Sequence, residues 1–205
     1  MFMYYRILFF IIYLLSFPVH AQEKTILILG DSLSAAYGIP VGEGWVSLLE
    51  QRLVRQQLEH KVVNASISGE TTLGVKTRLD KLLAEYRPEL VIIELGANDG
   101  LRGFALSEIE QNLSDIVNAI KQINADVLLV PMQLPPNYGA AYNQLFMSIY
   151  KSVSEKQAIN LSTFILKDIA QHPDLMQADG LHPVKEAQTM MLDNLWPSLE
   201  SLIIR

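Results

Sequence analysis

The chain has 205 residues, of which 50% are hydrophobic and 19% are charged, and its formal net charge is −6. This length and composition predict one globular domain with a well-buried core. An acidic chain without a basic run argues against binding to nucleic acid or to anionic membrane surfaces. The absence of cysteine excludes disulfides, thiol nucleophiles and metal sites built from thiolates.

The first 21 residues have the parts of a secretory signal peptide. Arg6 supplies the positive charge, residues 7–17 form an apolar run broken only by Ser16, and Val19-His20-Ala21 has small residues where signal peptidase cuts. This run is shorter than the roughly 18 to 20 residues of a membrane-spanning helix, so cleavage is favoured over an uncleaved anchor. We expect residues 22–205 to form a single mature domain in the periplasm, or alternatively a secreted one, without stable membrane insertion.

After this segment, short apolar runs alternate with longer stretches of helical period. The runs suited to buried strands are residues 25–29, 61–65, 89–95, 126–132 and 159–164. Apolar residues recur at helical spacing over residues 45–53, 75–86, 109–120, 142–153 and 183–195. Ser107 and Glu110 have the spacing of a capping box ahead of the third of these helices. The alternation predicts an α/β fold with a parallel sheet covered by helices on both faces.

Polar loops follow the first three predicted strands. Ser32 lies in "ILGDSLSAAYGI", Ser68-Gly69-Glu70 follows the second strand, and Gly96-Ala97-Asn98-Asp99 follows the third. Ligands of open α/β sheets bind at the carboxyl ends of the strands, and in the common strand order 2-1-3-4-5 these three loops are neighbours. Gly, Asp and Ser are also common turn residues, so each loop alone is open to a purely structural interpretation.

A serine nucleophile needs a base, and His182 is the best placed of the four histidines. It lies in "DGLHP", and Asp179 is three residues upstream. A carboxylate at this spacing can bind one imidazole nitrogen while the other nitrogen faces the serine. Taken alone, the stretch is better explained as a turn that stops before a helix, with His182 at the surface.

The tetrahedral oxyanion formed by serine attack also needs hydrogen-bond donors. Candidates are the backbone N–H groups of Ser32 and Gly69 and the side-chain amide of Asn98. Losing one such donor typically costs about 2.7 to 4 kcal/mol of transition-state stabilisation. Gly69 alone is also consistent with a tight turn, as is the Asn98-Asp99-Gly100 sequence.

Four short blocks of the sequence carry a resemblance to a known family. They are Gly30-Asp31-Ser32-Leu33, Gly69, Gly96-Ala97-Asn98-Asp99 and Asp179-Gly180-Leu181-His182. In this order and spacing they resemble the blocks of the GDSL family of SGNH hydrolases, over nearly the whole chain after residue 21. Within that family, "ILGDSLSAAYGI", "VVNASISGETT", "NDGLRGF", "LPPNYG" and "DGLHP" resemble bacterial periplasmic thioesterases that are also described as lysophospholipases, arylesterases and proteases.

The resemblance implies a flavodoxin-like three-layer α/β/α sandwich with a five-stranded parallel sheet. It implies a serine acyl hydrolase that works without metal or organic cofactor on esters and thioesters of acyl chains, including lysophospholipids. In this family pattern Ser32 is the nucleophile, and Asp179 and His182 complete the triad. Ser32, Gly69 and Asn98 then form the oxyanion hole.

The substrate is less well defined by the sequence. Apolar residues near the predicted site are candidates to line a groove for an acyl chain, or alternatively belong to the core. They are Phe104, Leu106, Leu134, Pro135 and Tyr138. The alternatives are an acetylesterase for carbohydrates or small esters on the same fold, and a non-catalytic acyl-binding protein. We expect small-molecule partners, no nucleic acid, and a monomer.

Overall fold

The protein is built around one parallel sheet. The computed structural model describes residues 24–204, so the predicted signal peptide lies outside the described residues. The strands are β1 (Lys24–Gly30), β2 (His60–Asn64), β3 (Leu90–Glu94), β4 (Asp126–Leu129) and β5 (Asn160–Leu161). All neighbours run parallel, which confirms the predicted α/β class, and their order is β2-β1-β3-β4-β5, the common order in which the first three loops are neighbours.

Helices cover both faces of this sheet. They are α1 (Trp45–Arg55), α2 (Thr72–Tyr86), α3 (Ala97–Leu101), α4 (Leu106–Gln122), α5 (Ala140–Gln157) and α6 (Gln188–Ile203). Helix α1 packs against α6, whereas α4 packs against both α2 and α5. The result is the three-layer α/β/α arrangement that the alternating pattern predicts.

The two central strands are buried on both faces, which explains their continuous apolar sequences. Every residue of β3 is buried, and so is every residue of β1 except Lys24. The helices instead bury one stripe each, such as Ile109, Leu113 and Ile116 of α4. Between residues 24 and 204, none of the helices combines the length and the apolar character needed to cross a bilayer.

The fifth strand is much shorter than the predicted 159–164. Only Asn160–Leu161 pairs with β4, as the edge strand of the sheet. Beyond it, the Ser162 hydroxyl donates to the backbone oxygen of Thr163, a local bond that competes with strand pairing. The predicted strand ended at Phe164, which is half-buried and lies outside the strand, and the next two residues, Ile165 and Leu166, are buried within a run of turns.

Two helix starts also differ from the sequence expectations. The prediction of a capping box is wrong, because the residue before α4 is Ala105 and no side chain caps this helix. Glu110 does not reach back along its own helix, because its carboxylate accepts hydrogen bonds from Ser152 and Lys156 of α5. The last helix begins at Gln188, after a short 3-10 helix at Lys185–Ala187, and not near residue 183.

The register of the sheet places the polar loops side by side. Gly30, the last residue of β1, lies opposite Glu94, the last residue of β3. Ile28 of β1 lies opposite Asn64, the last residue of β2. The segments that leave β1, β2 and β3 therefore emerge at one edge of the sheet, where the sequence places Ser32, Gly69 and Asn98.

Candidate active site

Ser32 lies in a tight turn that directly follows β1. The Asp31 carboxylate accepts from the N–H of Leu33 at 3.0 Å, and the Asp31 carbonyl accepts from the N–H of Ala35 at 2.9 Å. The Ser32 carbonyl accepts from the N–H of Tyr37 at 3.1 Å. These local bonds fix the backbone of the turn and leave the half-buried Ser32 side chain facing the site.

The histidine and aspartate predicted from "DGLHP" meet this serine. Nε2 of His182 lies 2.8 Å from Oγ of Ser32, although the two residues are 150 positions apart. Nδ1 of His182 lies 2.7 Å from Oδ2 of Asp179. The structure thus joins hydroxyl, imidazole and carboxylate in one hydrogen-bonded chain, the geometry of a serine hydrolase triad.

A short loop between Met176 and Pro183 holds His182 and Asp179 in place. These two end residues form an antiparallel bridge, and inside it the N–H of Gln177 donates to the His182 carbonyl at 2.7 Å. Oδ1 of Asp179 accepts from the N–H groups of Leu181 at 2.9 Å and His182 at 3.0 Å. The loop therefore orients both groups by backbone bonds, independently of the triad contact.

The Asp179 carboxyl group is held in its ionised form. Burial raises its pKa, but the hydrogen bonds from the His182 ring and from the N–H groups of His182 and Leu181 outweigh this and lower the pKa to about 2. Asp179 is consequently an anion at neutral pH and in mild acid. An anion at this position favours a proton on Nδ1 of His182 and leaves Nε2 free to accept one from Ser32.

An aromatic ring, which the sequence arguments missed, covers one face of the imidazole. The rings of Tyr37 and His182 have their centroids 4.4 Å apart and are tilted by 39°. The Tyr37 carbonyl accepts from the side-chain amide of Gln177 at 2.9 Å. The turn after β1 is therefore tied to the loop that carries His182.

The three candidate oxyanion donors differ in the hydrogen bonds that they already make within the protein. Among residues 24–204, the N–H groups of Ser32 and Gly69 donate no hydrogen bond to another residue. The Asn98 amide donates one hydrogen to Oδ2 of Asp31 at 3.0 Å, and its second hydrogen remains for a ligand. Gly69 has a left-handed φ of +78°, a conformation that favours glycine.

Two further contacts hold the loops that carry Gly69 and Asn98. The Gly69 carbonyl accepts from the Arg102 guanidinium at 2.8 Å. Asp99 is fully buried, and its carboxylate accepts from the N–H of Thr72 at the start of α2. Neither contact had a sequence signal beyond the polarity of the residues, because both join segments about 30 positions apart.

A cavity of about 390 Å³ opens beside Ser32 and His182. Its walls are mainly apolar and include Leu101, Met132, Leu134, Pro135, Phe164, Leu166 and Met176. Of the five sequence candidates for an acyl groove, the structure brings Leu134 and Pro135 to this cavity. Phe104, Leu106 and Tyr138 do not line it: Phe104 is exposed, and Leu106 and Tyr138 pack against the core.

A larger depression of about 730 Å³ lies at the opposite edge of the sheet, beside Lys24 and Glu89. It lies at the amino ends of β1 and β3, so it is far from the triad. In open α/β sheets the functional crevice is at the carboxyl ends of the strands. We therefore assign the smaller cavity to the site.

Comparison with known proteins identifies the family. Residues 28–189 match the GDSL-like lipase/acylhydrolase family. This chain belongs to that family. Within it, the esterase TesA of Pseudomonas aeruginosa is 45% identical over 183 residues, which are 89% of this chain and 91% of the relative. Thioesterase 1/protease 1/lysophospholipase L1 of Escherichia coli K12 is 40% identical over 195 residues, 95% of this chain and 92% of the relative.

A solved structure agrees with this family assignment. The psychrotrophic esterase EstA from Pseudoalteromonas sp., in a structure inhibited by monoethylphosphonate, superposes with a TM-score of 0.85 at 46% sequence identity. The match covers 89% of this chain and 100% of that chain. The GDSL family member described here is therefore a serine ester hydrolase.

The sequence arguments missed one further feature of this hydrolase, a buried glutamate below the serine. Glu94, the last residue of β3, is completely buried, and its carboxyl group contacts the segment around Asp31. The signal was present in the sequence, since an acidic residue interrupts the otherwise apolar run of residues 90–95. In residues 24–204, no group of three or more His, Cys, Asp or Glu side chains is placed to hold a metal ion.

Proposed function

We propose that this protein hydrolyses esters and thioesters of acyl chains through an acyl-serine intermediate. The observation that carries the proposal is the continuous chain from Ser32 through His182 to Asp179 at the mouth of an apolar cavity. Relatives named esterase TesA and thioesterase 1/protease 1/lysophospholipase L1 support both ester and thioester substrates. Lysophospholipids carry an acyl chain in ester linkage, so they belong to the same class of substrates.

The first half of the reaction acylates Ser32. Oγ attacks the substrate carbonyl carbon while its proton moves to Nε2 of His182, and the carbonyl oxygen becomes an oxyanion. The N–H groups of Ser32 and Gly69 and the Asn98 amide stabilise this oxygen. The intermediate then collapses, the bond to the alcohol oxygen or thiol sulfur breaks, and His182 gives its proton to that leaving group.

The second half returns the enzyme to its starting state. A water molecule gives a proton to Nε2 of His182 and attacks the acyl carbon. A second oxyanion forms at the same donors and collapses, the bond to Oγ breaks, and Ser32 recovers its proton from His182. The product is the free carboxylic acid. Asp179 remains an anion and stabilises the imidazolium in both halves.

The size and apolar lining of the cavity favour medium or longer acyl chains over acetyl groups as substrates. Its volume of about 390 Å³ lies within the range of small-molecule pockets, which is roughly 300 to 1,000 Å³. Its walls are mainly apolar, so transfer of methylene groups from water to this surface would favour binding. An acetyl group would leave most of this apolar surface in contact with water.

A chain-length series tests this proposal. We expect kcat/KM for p-nitrophenyl octanoate to exceed that for the acetate, with octanoyl-CoA and a lysophospholipid also hydrolysed. Ala170→Trp adds bulk to an exposed position on the cavity wall. It should lower kcat/KM about 10-fold more for octanoate than for acetate.

The matched control is Ala84→Trp, at the larger depression on the opposite edge of the sheet. This variant should leave the ratio of octanoate to acetate rates unchanged. A wild-type preference for acetate over all longer esters would contradict the acyl-chain proposal and favour the acetylesterase alternative.

We also propose that the enzyme is exported and that residues 1–21 are removed. The charge, apolar run and small residues at the chain start support this. N-terminal sequencing of the native enzyme should find a start near Gln22. Recovery of the enzyme from the cytoplasm with Met1 intact would contradict export.

A further inference from the structure

Two carboxyl groups lie together in the interior directly below the proposed nucleophile. Asp31 is 2% exposed and Glu94 is 0% exposed. Oε2 of Glu94 accepts from the hydroxyl of Ser34 at 2.7 Å and from the N–H of Asp31 at 3.3 Å. The two carboxyl groups also interact electrostatically, since each one shifts the pKa of the other.

In the part of the chain that the structure describes, the hydrogen bonds of this pair leave one buried oxygen of Glu94 without a donor. Oδ1 of Asp31 accepts from the Leu33 N–H, and Oδ2 accepts from the Asn98 amide, as expected for a carboxylate. Oε1 of Glu94 is buried and has no donor among residues 24–204. A proton on Glu94 turns this unpartnered acceptor into a donor to Asp31.

The backbone leaves space for this arrangement. Gly30 is paired with Glu94 across the sheet, and a Cβ atom at Gly30 would lie 2.8 Å from Oε2 of Glu94 and 2.6 Å from Oγ of Ser34. A side chain at residue 30 would therefore push the Glu94 carboxyl group away. The glycine of the Gly30-Asp31-Ser32 motif thus makes room for the buried acid as well as for the turn.

We propose that Glu94 is a positioning residue, which stays protonated and, through a hydrogen bond to Asp31, holds the Asn98 amide at the oxyanion position. The proposal rests on the proposed function, because Asn98 has this role only if an oxyanion forms beside Ser32. The chain of contacts is short: Glu94 accepts from the N–H of Asp31, and the Asp31 carboxylate accepts the hydrogen bond of Asn98. Asn98 then presents its second hydrogen to the substrate.

The electrostatics of the surroundings support a neutral Glu94. Burial is the main cause that raises the pKa of Glu94 well above its usual value, and the neighbouring charge of Asp31 raises it further. Burial also raises the pKa of Asp31, to about 6, so Asp31 is the group of the pair that ionises first. A second negative charge here would also oppose the developing oxyanion.

The other titratable groups that face the pair are His182, Tyr150 and Asp99. The positive charge of protonated His182 acts on Asp31 and lowers its pKa. Tyr150 is buried and donates its hydroxyl to the Leu95 carbonyl, and its pKa is raised well above the usual value by burial first and then by Asp99, Glu94 and Asp31. Tyr150 therefore stays neutral, and the neighbouring charge that acts on Glu94 is the negative charge of Asp31.

The experiment compares Glu94→Gln with Glu94→Leu. Glutamine is neutral and can keep both sets of contacts, since its oxygen accepts from Ser34 and its amide donates to Asp31. The Glu94→Gln enzyme should therefore keep most of the wild-type kcat, whereas the Glu94→Leu enzyme should not. Leucine cannot hold Asp31, so Glu94→Leu should lower kcat about 10- to 100-fold with KM nearly unchanged, because the oxyanion contact acts only in the transition state.

The protonation state is measured directly by infrared spectroscopy. The difference spectrum between wild type and Glu94→Gln should contain the carbonyl band of a protonated carboxyl group at pH values above neutral. Absence of this band would overturn the proposal, and so would a folded Glu94→Leu enzyme with wild-type kcat. This spectroscopic test remains decisive if Glu94→Leu does not fold.

A double-mutant cycle separates positioning from general destabilisation. In an Asn98→Ala background, Glu94→Leu should lower kcat by less than about three-fold more, because the amide it positions is already gone. Glu89→Leu, at the opposite end of β3, is the matched control and should leave kcat unchanged. Full activity of Asn98→Ala would refute the oxyanion assignment itself, whereas loss in Asn98→Ala with additive loss from Glu94→Leu would refute only the role of Glu94.

Discussion

Replacing Ser32 with alanine is expected to lower kcat on the order of 10⁶-fold for every ester and thioester substrate. The variant removes the oxygen that His182 would activate for attack on the carbonyl, since Nε2 contacts Oγ of Ser32 at 2.8 Å. The free energy of unfolding should change by less than about 0.5 kcal/mol, since Ser32 is only half-buried. Initial rates with p-nitrophenyl octanoate and urea unfolding of the same preparation measure both effects.

The matched control is Ser68→Ala, the same chemical change in the neighbouring loop after β2. Ser68 is exposed and adjacent to Gly69, so this variant should hydrolyse esters at close to the wild-type rate. Wild-type hydrolysis by Ser32→Ala would instead support the alternative of an acyl-binding protein with incidental triad geometry. Binding of a non-hydrolysable acyl analogue should persist in Ser32→Ala, because the cavity walls are unchanged.

The sheet was predictable because its central strands carry a strong physical signal. Residues 90–95 form an almost unbroken apolar run, and β3 is buried throughout, so burial and sequence pattern agree. At the edge of the sheet the same signal failed. Apolar residues after Leu161 are buried although they lie in turns and not in a strand. Sequence alone does not distinguish burial in a strand from burial in a loop.

The site was predictable to a different degree for each contact. Local spacing indicated the pair of Asp179 and His182, because three residues in a turn bring both groups together. The contact from His182 to Ser32 bridges 150 positions, and local pattern carries no information about it. The family resemblance supplied that expectation, and the structure places the atoms at hydrogen-bonding distance.

The cavity walls were the least predictable part. Phe104, Leu106 and Tyr138 were reasonable candidates because they are apolar and close in sequence to the site loops. Their directions depend on how the loops pack: the Tyr138 hydroxyl donates to the carbonyl of the cavity residue Leu101, but Tyr138 itself does not line the cavity. Phe164, which does line it, is the last residue of a run predicted to be a strand, and Met176 lies outside every predicted strand and helix.

Replacing Asp179 with asparagine is expected to lower kcat about 10³- to 10⁴-fold while KM changes little. The loss should be smaller than for Ser32→Ala, because the Asp179 side chain is 40% exposed and water can partly replace it. Asp174→Asn is the matched control, an exposed aspartate in the same segment that lies outside the triad, and it should keep the wild-type rate. Rates with p-nitrophenyl octanoate for the three proteins check this prediction.

The backbone of the loop determines why this isosteric change should be so damaging. Oδ1 of Asp179 accepts two N–H groups, from Leu181 and His182, so the oxygen of an asparagine must stay at that position. Its amide nitrogen then replaces Oδ2 and donates to Nδ1 of His182, which places the ring proton on Nε2, facing Ser32. The imidazole would be correctly positioned but in the wrong tautomer to accept the serine proton. Nitrogen-15 NMR of the His182 ring should report a proton on Nδ1 in the wild type and on Nε2 in Asp179→Asn, and the same tautomer in both would contradict this account of the triad.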